Sequence, residues 1–112
     1  MVKTERFRYM PLAVLHQGQV FRNHIIEISG DNITLFPFIQ EIEATTFVSA
    51  VVAVVSAEKL SQITFNPGKY TSLATSLDEL CQLLAKEQLF PNYPTEKFAL
   101  LAITSNSLQP IR

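Results

Sequence analysis

The 112-residue chain is predicted to be a β-rich α+β domain: a mainly antiparallel sheet or small β-sandwich, with one packed helix over about 77–89. Three observations predict it. Before residue 39, short runs rich in β-branched and aromatic residues alternate with clusters of turn residues. From Thr45 to Val55 an apolar run is nearly continuous rather than alternating. Further on, a single Ser-x-x-Glu spacing opens the one segment with helical apolar spacing.

Arg6 to Leu15 reads as a first strand anchored by Phe7, Tyr9, Leu12 and Val14. Pro11 has no amide hydrogen for a ladder, so this strand is expected at an edge or with a bulge. His16-Gln17-Gly18-Gln19 is a hairpin connection, and Val20 to Ile28 is the second strand. Ser29-Gly30-Asp31-Asn32 is a strong turn signal, followed by a third strand from Ile33 to Phe38. Together these predict an antiparallel meander.

In the run Thr45–Val55, Phe47, Val48, Val51, Val52, Val54 and Val55 leave no polar face. Both sides of that strand must be covered, which makes it the expected central strand. Asn66-Pro67-Gly68-Lys69 reads as a turn. Ser76 and Glu79 then have the spacing of a capping box, with Leu77, Leu80, Cys81 and Leu84 on one helical face behind them. Pro91 and Pro94 close the helix. Phe98 to Thr104 is a closing strand, and a polar tail follows.

The length predicts a single domain over 1–112. With 47% hydrophobic residues, a core needs neither disulfides nor metal. The lone Cys81 excludes an internal disulfide and suits a reducing compartment. The charged start, Met1 to Arg6, leads into no apolar stretch, so a cytoplasmic protein without signal peptide or membrane span is expected. A net charge of −1 gives no general attraction to nucleic acid. Lys3, Arg6, Arg8 and Arg22 come early, whereas Glu27, Asp31, Glu41, Glu43 and Glu58 follow. Neighbouring strands are expected to pair these opposite charges.

The search for chemistry yields no catalytic, cofactor-binding or metal-binding residues. His16 is expected at a hairpin turn and His24 well down the second strand, without ligand spacing between them. Cys81 lies past the first helical turn among leucines, where a structural thiol fits better than a nucleophile. Glu41 and Glu43 share one side of an extended segment and read as solvated strand residues. Gly18, Gly30 and Gly68 are isolated and build no phosphate loop. Phe7 and Tyr9 beside Arg6 and Arg8 could form a stacking platform for single strands, but no wider basic surface accompanies them.

The stretch Val20 to Phe38, with Ser29-Gly30-Asp31-Asn32-Ile33 at its centre, resembles the opening β-sandwich segment of metal-dependent amidohydrolases. Glu41 to Val52 is similar to that family's next strand, and Phe65-Asn66-Pro67-Gly68-Lys69 to its late F-x-x-G-K turn. There are departures. Val54 and Val55 stand where the family has Pro-Gly, no histidine follows in Ser56 to Leu60, and a barrel of roughly 250 residues has no room here. The resemblance therefore implies a stand-alone relative of the small sandwich domain, without metal and without hydrolysis.

Three functional classes follow, in order. The first is a non-catalytic interaction or oligomerisation domain, expected as a homodimer through a sheet surface that includes Val52 or Val54, with a protein partner also open. The second is a small-ligand module with a pocket between helix and sheet, and the third an enzyme of unrecognised type.

Overall fold

The computed structural model describes residues 6–39, 45–65, 68–71, 76–93, 95–104 and 107–111. Its strands are β1 (Arg6–His16), β2 (Gln19–Phe21), β3 (His24–Ser29), β4 (Asn32–Pro37), β5 (Thr45–Ser56), β6 (Phe98–Ile103) and β7 (Leu108–Pro110). A 3-10 turn, Ala57–Lys59, leads into helices α1 (Leu60–Phe65), α2 (Gly68–Thr71) and α3 (Leu77–Lys86). The strands form one sheet in the order β4-β3-β1-β5-β6-β7, with β2 beside β1. Every neighbouring pair is antiparallel except β1 and β5, which run parallel.

Pro11 is buried in an interior strand rather than at an edge, and the pairing explains how. On one side β1 pairs with β3 along Arg6–Tyr9 and with β2 along Val14–His16. Pro11 falls in the gap between those two partners, where no strand asks for its missing N–H. On the other side the register with β5 shifts between Pro11 and Ala13, because β5 carries one residue more.

The expected second strand is likewise divided, into β2 and β3. Arg22 and Asn23 break it, with Asn23 at φ 56°. The β1–β2 turn has positive φ at both Gln17 (50°) and Gly18 (79°), as a type I′ turn requires. In the β3–β4 turn only Gly30 has positive φ (61°), as in type II′.

Alternate residues of β5 go to two separate clusters. Ala53 and Val55 join Leu15, Leu101 and Ile103 beneath Ile63 of α1, Tyr70 of α2, and Leu80, Cys81 and Leu84 of α3. Val52 and Val54 join Val14, Ile26, Ile28 and Leu100 on the opposite face. No described helix contributes to that second cluster. Phe7, Tyr9, Phe21, Ile33, Leu35, Phe98 and Ile111 pack around it. Val52 and Val54 are fully buried within one chain. The expectation that one of them faces a second copy is therefore corrected: the second layer is the chain's own.

Helix α3 begins as expected. Ser76 adopts an extended conformation and its hydroxyl accepts from the Glu79 amide at 3.2 Å. It ends earlier than the prolines imply, at Lys86 instead of 89. Gln88 takes φ 57°, its amide donates to the Ala85 carbonyl, and the Leu89 amide reaches back to the Leu84 carbonyl at 2.9 Å. This is the paired-bond Schellman ending, with glutamine in the place usually held by glycine.

Two further expectations change. Gly68 and Lys69 belong to a short helix rather than a turn, and Asn66 and Pro67 lie outside the described residues. The tail is not a loose end, since Leu108–Pro110 adds β7 to β6. Among the described residues, no helix is long and apolar enough to cross a membrane.

Candidate functional site

The first surface is an apolar row on the face that carries the helices. Phe36 pairs with Ile25 across β4 and β3, and Met10 with Phe47 across β1 and β5. Continued by one residue, the β1–β3 register sets Ile25 beside Met10. The side chains of this row point away from Tyr9, Ile26, Leu35 and Val48, which enter the second cluster. The helices pack over the other half of the sheet, on Leu15, Val51, Ala53 and Val55; in this half Ile25 is nevertheless fully buried and Met10 and Phe36 are half-buried. Phe47 is 59% exposed, and Leu12, two residues beyond Met10, is 67% exposed.

The neighbouring row, two residues along each strand, is polar: Thr34, Glu27, Arg8 and Thr45. Arg8 Nε donates to Glu27 Oε2 at 3.1 Å, with Arg6 3.9 Å from the other carboxylate oxygen. The early basic and later acidic residues do meet across strands here. Phe7 and Tyr9 turn to the opposite face from Arg6 and Arg8, so no mixed aromatic and basic platform exists.

The second surface lies at the carboxyl ends of the parallel strands β1 and β5. There a crevice of about 370 Å³ is lined by Gln17, Lys59, Gln88, Phe90, Pro91, Asn92 and Glu96. Hydrogen bonds hold its walls. Gln17 Nε2 donates to the Pro91 carbonyl at 2.7 Å, and Lys59 Nζ to the Gln88 carbonyl at 2.6 Å. The end of β5 is stitched to both flanks by Ser56 N–H to Leu89 O and Ala57 N–H to Lys97 O. Glu96 accepts from the Asn92 amide at 2.9 Å and lies 3.7 Å from Lys59 Nζ. The Asn92 amide first, then Lys59 with its positive charge, hold the Glu96 carboxyl below its ordinary range. Two of the lining residues, Gln17 and Gln88, have left-handed backbone conformations.

Between the helices and the sheet lie the side chains of the first cluster. His16 lies near the crevice, with Nε2 3.3 Å from the Tyr93 hydroxyl, and burial lowers its pKa. His24 contacts the Arg22 carbonyl and the Phe21 ring instead. Cys81 is buried in the first cluster, and burial, then Asp78, pushes its thiol up. Among the described residues no group of three or more His, Cys, Asp or Glu is placed to hold a metal. Glu41 and Glu43 lie outside the described residues. Neither surface was anticipated from the sequence, because each collects residues from strands or loops far apart in the chain. Compared with known protein families, with curated proteins and with solved structures, the chain matches none.

Proposed function

We propose that the chain is a non-catalytic interaction domain that pairs with a second copy of itself through the exposed side chains of Phe47 and Leu12. The observation that carries this reading is the exposure of two large apolar side chains, Leu12 and Phe47, on the neighbouring strands β1 and β5, where no described helix packs. A contiguous apolar surface rimmed by polar residues is the usual anatomy of a protein contact. The polar rim here is charge-balanced within the chain by Arg8 and Glu27, so two copies can approach without like charges opposed. Two-fold pairing lets one self-complementary patch cover both chains.

The amidohydrolase-like stretch Val20–Phe38 supports the same non-catalytic reading, as a stand-alone relative of that family's small sandwich domain. The unpaired, buried Cys81 supports residence in a reducing compartment. Charge placed in the row tests the proposal. Leu12→Glu and Phe47→Lys should each remain folded and run as monomers in light scattering. Dimers of undiminished stability in both variants would place the contact elsewhere.

A further inference from the structure

We infer that the crevice at the ends of β1 and β5 is a binding site for a small neutral polyhydroxylated molecule, of the monosaccharide or cyclitol class. Its charges answer each other. Lys59 faces Glu96 at 3.7 Å and donates to the Gln88 carbonyl, and Glu96 also takes the Asn92 amide. An anion or cation entering here must break an existing pair, and the lining offers it no net charge.

What remains unused is a set of carboxamides. Gln17 spends one N–H on the Pro91 carbonyl, leaving its oxygen and second hydrogen. The side-chain amides of Gln88 and Asn92 make no hydrogen bond among the described residues. A carboxamide presents a donor and an acceptor side by side, which matches vicinal hydroxyls that each donate and accept. Phe90 and Pro91 supply apolar surface for the C–H face of such a ring. The chain brings the site together: Gln17 follows β1, Lys59 follows β5, and Gln88 follows α3.

Backbone and side-chain amide NMR on the whole chain tests the inference, with glucose, galactose and myo-inositol as neutral probes and glycine and inorganic phosphate as charged ones. At least one neutral probe should saturably shift the side-chain amide signals of Gln17, Gln88 and Asn92, with Kd on the order of 1 mM for so open a site. The shifts should survive added salt. Asn92→Ala should weaken binding about tenfold while leaving distant signals in place, by loss of hydrogen bonds to the ligand. If glycine or phosphate shifts these signals at lower concentration than every neutral probe, the ligand class is wrong. If no probe moves them, the site itself is refuted. The pairing of two chains through Leu12 and Phe47 is untouched by either result.

Discussion

Met10 on β1 and Phe47 on β5 stand opposite one another across the one parallel pair among the described residues. That pairing sets the surface proposed for self-association, and nothing local to either residue announces it. The same β5 carries Val52 and Val54 into a fully enclosed core. Exposure therefore changes along one strand from its first half to its second.

This division predicts unequal costs for equally drastic substitutions. Leu84→Ala opens a cavity between α3 and the sheet, at a side chain with no exposed surface, and should destabilise by about 3 kcal/mol. Leu12→Ala removes a side chain that is mostly in solvent and should change monomer stability by no more than about 0.5 kcal/mol. Urea unfolding at low protein concentration, where self-association is minimal, compares them. Similar costs would mean that the exposed half of the sheet is covered within the chain.

The end of α3 offers a gain. Gln88 occupies a left-handed position that glycine adopts freely, and its backbone, not its side chain, makes the Schellman bonds. Gln88→Gly should therefore raise stability by about 0.5–1 kcal/mol, the relief of strain exceeding the added freedom of the unfolded chain. A lower midpoint in thermal melting would show that the side chain itself supports the fold.

These two positions mark how far the sequence could be read. The helix start at Ser76 was legible because a capping box is local, and the strands from Arg6, Ile33, Thr45 and Phe98 because β-branched and aromatic runs are local. The helix end was not, because glutamine rarely takes the left-handed cap and Pro91 offered a plausible later stop. Helices α1 and α2 are too short to show an apolar period, and β7 is three residues long. The burial of Val52 and Val54 was half legible. Their apolarity demanded cover on both faces, but only their burial in the folded chain shows that the chain supplies it. The crevice combines residues near 17, 59 and 88–96, and no spacing in the sequence joins them.

Tyr70 predicts behaviour in alkali. Its hydroxyl donates to Glu87 Oε1 at 2.7 Å, and Lys69 pairs with the same carboxylate. Burial first, then the hydrogen bond and charge of Glu87, push the Tyr70 pKa up to about 12 from 10.0. An acid whose pKa is raised by folding contributes stability that is complete below its unfolded pKa. That contribution should be lost as pH rises from about 10 to about 12. Tyr70→Phe should cost about 1 kcal/mol at neutral pH and flatten this alkaline loss. Stability measured against pH for both proteins checks it. Parallel curves would contradict the assignment.

Cys81 predicts protection. The thiol is buried beneath α3 and its pKa is raised, so both access and thiolate fraction are low. A thiol reagent should react slowly with the native chain and rapidly in denaturant. Native labelling at the rate of a free cysteine would show that this face of α3 opens readily.

Two copies of the chain are proposed to meet through Phe47 and Leu12, and sedimentation velocity of the unmodified chain across a concentration series decides whether they do. A shift from the 12.6 kDa monomer toward twice that mass is expected within the micromolar range. A single species at the monomer mass up to the highest soluble concentration would contradict it.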